Sequence, residues 1–112
     1  MAQLRSEDEI RAALVDLDGW DGDTTAIRRT AVLPSFAAAI EVVRRVAEEA
    51  ERADHHPDID IRWRSLHFQC STHSDNGVTD KDLALADRID AIVTAVGGDL
   101  DGDTGRTPTG DA

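Results

Sequence analysis

Pro57, directly after the adjacent pair His55-His56, constrains this chain more than any other residue. A proline disfavours helical geometry in the residue before it, so the long helix upstream must stop at the histidines. That helix reads over 36–54. Ser35 is placed to cap it, and Phe36, Ile40, Val43, Ala47 and Ala50 recur on one face, widened by Val42, Val46 and Ala53. Glu41, Arg44, Arg45, Glu48, Glu49 and Arg52 fill the other face. The apolar arc is wider than one sheet face needs, which fits either small-residue core packing or a subunit contact. Beyond Pro57, Asp58 to Thr72 has strand character, so two imidazoles stand at a helix-to-strand corner.

The parity of that strand region changes part-way. Ile61 and Trp63 alternate on one parity, whereas Leu66, Phe68, Cys70 and Thr72 continue on the other. Because side chains alternate with period two, the slip near Arg64-Ser65 predicts a bulge, or two short strands joined by a kink. Leu66, Phe68, Cys70 and Thr72 then face the core. His67, Gln69, Ser71 and His73 share the wetter face, and Trp63 reads as a core residue on the parity of Ile61.

The remaining segments complete the order. Ser6 and Glu9 form a capping box for a first helix over roughly 6–17, which Asp18-Gly19 ends. Trp20 to Asp23 and Ala26 to Leu33 read as strands, with Asp21-Gly22-Asp23 supplying hairpin turn chemistry. Ser74 to Val78 holds an Asn-Gly turn. Thr79 caps a last helix with Asp82 as its reciprocal partner, and Leu83, Ala86, Ile89, Val93 and Val96 form its stripe up to Gly97-Gly98. With no repeated strand-helix crossover, the fold class is α+β: an antiparallel sheet with helices packed on one face.

Composition bounds the rest. The chain has 112 residues and a formal net charge of −11. Its last sixteen, Gly97 to Ala112, are Gly, Asp and Thr with almost nothing apolar. The expected division is one domain over 1–96 and a disordered acidic tail over 97–112. So small a core, with only Trp20, Phe36, Trp63 and Phe68 as aromatics, favours an oligomer. Eleven arginines and Lys81 are scattered among acids, which argues against nucleic-acid binding. A single cysteine excludes an internal disulfide, the N-terminus does not read as a signal peptide, and no apolar run approaches a membrane span. The expected location is cytoplasmic.

Three histidines carry the chemistry. His55 and His56 sit at the corner, and His73 ends the strand region on its wet face. Imidazoles titrate near pH 6.5, so one site can hold both an acid and a base, each contributing about 100- to 10,000-fold. A bell-shaped pH profile is therefore expected. Glu51, four residues before His55, would share its helical face, and Asp54 adjoins the pair; either carboxylate can orient and charge an imidazole. Taken alone, Glu51 reads first as one more solvated acid on a charged face, and Asp82 has an ordinary role at a helix N-terminus. His67 either supports the cluster or is a plain surface strand residue. No activated nucleophile accompanies the histidines: Cys70 points inward, and no serine sits in an elbow motif. Zinc is the competing use of the same rings, but adjacent histidines before a proline fit its spacing poorly.

Taken together, Glu51, three residues, His55-His56-Pro57, five residues, Trp63, nine residues, His73, eight residues and Asp82 resemble the pattern of the pterin-4a-carbinolamine dehydratases. The resemblance spans Ser6 to Val96. It implies a four-stranded antiparallel sheet with three helices on one face, in the order helix-strand-strand-helix-strand-strand-helix, assembled as homodimers or homotetramers. It implies dehydration of 4a-hydroxytetrahydropterin to quinonoid dihydropterin, the recycling step after an aromatic amino acid hydroxylase. By the same resemblance His55, His56 and His73 are the acid/base and binding set, Glu51, Asp54 and Asp82 support them, and Pro57, Thr72, Ser74 and Asp75 line the pterin pocket. No metal or organic cofactor is implied. Ile59 stands where relatives often carry a large aromatic, and Ser74-Asp75-Asn76 is more acidic than usual. Some animal members serve as dimerisation cofactors of a transcription factor. The alternative for this chain is a non-catalytic binding or regulatory protein on the same scaffold.

Overall fold

The computed structural model describes residues 3–17 and 19–98. Asp18, expected at the end of the first helix, lies outside the described residues, as does the tail beyond Gly98. Among the described residues there are three helices: α1 (Glu7–Val15), α2 (Phe36–Ala53) and α3 (Asp80–Val96). Four strands accompany them: β1 (Trp20–Gly22), β2 (Ile27–Val32), β3 (Asp58–Arg62) and β4 (Ser65–Cys70). A 3₁₀ turn, His73–Asp75, precedes α3. The strands form one antiparallel sheet in the order β1-β2-β4-β3. The expected α+β order therefore holds.

Each helix begins where a side chain can accept its free N–H groups. Ser6 and Glu9 close a capping box on α1, Ser35 caps α2, and Thr79 and Asp82 close a second box on α3. Gly97 ends α3 in the left-handed conformation at φ 100°.

The parity slip has a simpler origin than a bulge or a kink. β3 and β4 are the arms of a hairpin whose two loop residues are Trp63 and Arg64, with Arg62 paired to Ser65 and Ile61 to Leu66. A two-residue reversal pairs odd positions with even ones, so the core side of the sheet switches parity. Trp63 is consequently not a core residue. It occupies the turn at φ 55°, half-buried, with the Arg64 guanidinium 5.0 Å from its ring centroid.

One face of the sheet is buried and the other is open. Ile27, Ala31, Leu66, Phe68 and Cys70 are buried from the central strands, and Val42, Val46, Ile89 and Val93 pack on them from α2 and α3. The stripe expected on α2 is rotated from its predicted centre. Ala39, Val42, Val46 and Ala50 face the core, while Phe36, Ile40 and Ala47 are exposed. On α3 the buried set is Asp82, Leu85, Ala86, Ile89 and Val93, with Leu83 and Val96 at its margins.

Beneath the sheet lies a buried ion pair. The Arg29 Nη1 donates to Asp90 Oδ1 at 2.6 Å, and Trp20 Nε1 donates to the same oxygen at 2.8 Å, tying β1, β2 and α3 together. Cys70 is fully buried, and that burial pushes its thiol well above the usual range. Ellman's reagent at pH 8 should therefore leave the native protein unmodified and titrate one thiol in urea. Rapid reaction without denaturant would contradict the buried placement.

Candidate active site

The helix-to-strand corner forms because α2 stops abruptly. Asp54 takes a left-handed conformation (φ 53°, ψ 44°), and its backbone N–H closes on Ala50 and Glu51 carbonyls. This turn breaks the helical spacing on which a Glu51–His55 pair depended. Glu51 instead meets His56, with Oε2 2.5 Å from Nε2, in an exposed pair. Asp54 contributes a backbone cap at an exposed position. Pro57 is half-buried immediately before β3.

His55 is carried the other way, towards α3. Its Nε2 lies 2.6 Å from Asp82 Oδ1. Asp82 is completely buried, and its second oxygen accepts from the Thr79 backbone N–H at 2.9 Å and the Thr72 hydroxyl at 2.7 Å. Proton accounting follows from these contacts. The Thr72 hydroxyl hydrogen goes to Asp82, so the Thr79 hydroxyl donates to Thr72 across 2.7 Å while accepting from the Lys81 N–H at 3.2 Å. A carboxylate can only accept, so the network assigns the imidazole hydrogen to Nε2 of His55 and leaves Nδ1 as the acceptor in the neutral ring.

Thr72 is the step from this network to the third histidine. It is buried, and His73 follows it as the exposed first residue of the 3₁₀ turn. Ser74 and Asp75 complete that turn, exposed and half-buried respectively. The turn is closed by Asn76, left-handed at φ 63°, and by Thr72 and Gly77 exchanging backbone hydrogen bonds of 2.8 and 3.3 Å. Gly77 is required here: a Cβ would stand 2.6 Å from the Thr24 carbonyl oxygen. One carboxylate on α3 thus gathers the α2 corner and the segment leading to His73.

His67 stands apart. It lies on the open face of the sheet, with Nδ1 2.7 Å from the Thr30 hydroxyl and Asp60 opposite on β3. A wide concavity of about 630 Å³ covers that face, and His55, His56 and His73 are not among the residues that line it. Among the described residues, no group of three or more His, Cys, Asp or Glu side chains could hold a metal ion. Among them too, no helix is long and apolar enough to cross a membrane.

A family model described as pterin 4 alpha carbinolamine dehydratase matches residues 3–92. This chain belongs to that family. Its activity is accordingly that of a pterin carbinolamine dehydratase, a hydro-lyase. A relative from Mycobacteroides abscessus, provisionally named pterin-4-alpha-carbinolamine dehydratase, is 54% identical over 90 residues, covering 80% of this chain and 96% of its own. A relative of the same name from Mycobacterium avium is 54% identical over 93 residues, covering 83% and 98%. Among solved structures, a transcriptional coactivator/pterin dehydratase from Brucella melitensis superposes with a TM-score of 0.78 at 34% identity, covering 80% of this dehydratase and 98% of that chain.

Two features of the candidate site had no signature in the sequence. The His55–Asp82 contact joins residues 27 positions apart, and the Thr72 hydroxyl reaches the same carboxylate from ten positions away. The capping-box spacing located Asp82 but could not show that its other oxygen serves a histidine.

Proposed function

We propose that this chain dehydrates 4a-hydroxytetrahydropterin to quinonoid dihydropterin with His55, His56 and His73 as the acid/base and binding set. The observation that carries the reading is the buried Asp82 carboxylate, bonded on one side to His55 and on the other to Thr72. The reaction asks for two proton movements. The C4a–O bond breaks, and the oxygen leaves as water with a proton delivered to it. The neighbouring ring nitrogen gives up its proton, and its electron pair closes the double bond to C4a. An imidazole whose Nε2–H is committed to Asp82 offers only Nδ1 as an acceptor, which suits His55 to the role of base. His56, whose Nε2 faces Glu51, and the exposed His73 are the candidates for the proton donor. Pro57, Ser74 and Asp75 are the proposed walls of the pterin pocket, with Asp54 and Glu51 as supporting carboxylates. The physiological setting we propose is pterin recycling after aromatic amino acid hydroxylation.

The direct test is spectrophotometric decay of the 4a-carbinolamine with and without protein. Wild type should accelerate it, and His55→Ala, His56→Ala and His73→Ala should each lose about 100-fold or more with unchanged circular dichroism. Normal turnover in all three variants would end the histidine assignment.

We also propose that the chain works as a homo-oligomer. Phe36 and Ile40 are 50% and 41% exposed on the outer side of α2, where a lone subunit gains nothing from them. Light scattering after gel filtration should give a mass above one subunit, and Phe36→Glu should lower it. A monomeric wild type would overturn this reading.

A further inference from the structure

A second concave feature adjoins the histidine corner, in the groove between the end of α2 and the first half of α3. It encloses about 310 Å³, and His55 is part of its wall. Helical periodicity builds it. Lys81, Ala84, Leu85 and Arg88 recur on one face of α3, and Arg52 and Ala53 face them from the last turn of α2. Ala53, Ala84 and Leu85 give the groove apolar surface, while Arg52, Lys81 and Arg88 supply its cations.

The charge is unusual for this chain. Glu49 accepts from Arg88 Nη1 at 2.7 Å and also pairs with Arg52. One carboxylate therefore serves two guanidiniums, and Lys81 lines the same groove. The groove keeps an excess of two positive charges in a protein whose net charge is −11. Cations gathered around an apolar cleft are suited to charge-assisted bonds with a carboxylate or phosphate.

We propose that this groove receives an anionic arm on the pterin, a 6-substituent ending in a carboxylate or a phosphate monoester, recognised by Arg52, Lys81 and Arg88. The proposal rests on the pterin reading of the histidine corner, because His55 belongs to both. It makes the three cations determinants of specificity and gives them no part in proton transfer.

Fluorescence titration with non-reacting pterins tests it. Neopterin carries a neutral arm, neopterin monophosphate a phosphate and pteroylglutamate carboxylates. Wild type should bind at least one of the anionic probes about tenfold more tightly than neopterin, and which one identifies the arm. Lys81→Gln combined with Arg88→Gln should abolish that preference and leave neopterin binding unchanged. Equal affinity for all three probes, or a preference that survives both substitutions, overturns the proposal. Turnover of the neutral 6-methyl carbinolamine separates it from the dehydratase reading. If that turnover is absent while the anion preference holds, the catalytic assignment falls and the groove assignment stands.

Discussion

Replacing Asp82 with asparagine is expected to lower kcat for carbinolamine dehydration by about 100-fold or more while the protein still folds. Asparagine matches the shape of aspartate, and its carbonyl oxygen can still accept from the Thr79 N–H and the Thr72 hydroxyl that Asp82 holds. Its NH₂ group then faces His55, where a carboxylate oxygen now stands 2.6 Å from Nε2. A donor there forces the imidazole hydrogen onto Nδ1, so the ring presents the wrong tautomer to the substrate. Substrate contacts are largely retained, so KM should move much less than kcat, and the pH–rate profile should change shape. Asp82→Ala should behave differently. It strips a buried N–H and a buried hydroxyl of their acceptor, at about 1–3 kcal/mol each, so folding and turnover fall together. Urea denaturation beside steady-state kinetics separates the two cases. If Asp82→Asn keeps full turnover, Asp82 is only a helix cap.

The contrast between Asp82 and Trp63 shows what the sequence made legible. Local rules act over a few residues, so the caps at Ser6, Ser35 and Thr79, the stop before Pro57 and the inward set Leu66, Phe68 and Cys70 were all readable. Trp63 was misplaced because alternation alone cannot tell a kinked strand from a two-residue reversal; both shift the parity by one. Phe36 and Ile40 stayed open between core packing and a subunit contact for a related reason. Helical periodicity finds an apolar arc, but which part of a broad arc faces the sheet depends on what else is packed there, and here Ala39 and Val42 take that place. The candidate site is legible only as a set of residue types at fixed gaps. Its wiring is not. Glu51 pairs with His56 and Asp82 with His55 because a left-handed Asp54 redirects the chain, and no spacing rule carries across such a turn.

The largest stability loss is expected from Arg29→Ala, about 3–5 kcal/mol at neutral pH. The Arg29 side chain is fully buried and bonded to Asp90, whose side chain is only 17% exposed. Removing the guanidinium leaves a mostly buried carboxylate with Trp20 as its donor. For a domain of this size that is a large fraction of the usual 5–15 kcal/mol. The loss should depend on pH, with a sign that follows from Asp90. Burial already raises its pKa above the ordinary carboxylate value of 3.8, outweighing the opposing pull of Trp20 and Arg29. The folded state therefore binds the Asp90 proton more readily than the unfolded chain does. The stability that this proton brings is complete below pH 3.8 and is lost as pH rises through the folded value. Without Arg29 the folded value climbs further, so the deficit of the variant should shrink as pH falls from 7 towards 4. Acidification also weakens the scaffold elsewhere, because the Arg44 and Arg45 partners hold Glu41 down to about 2, and its contribution is lost as pH drops from 4.5 towards that value. The comparison must therefore be made variant against wild type at each pH. A deficit that stays constant from pH 7 to pH 4 would mean that the cost of losing Arg29 is packing rather than a stranded charge.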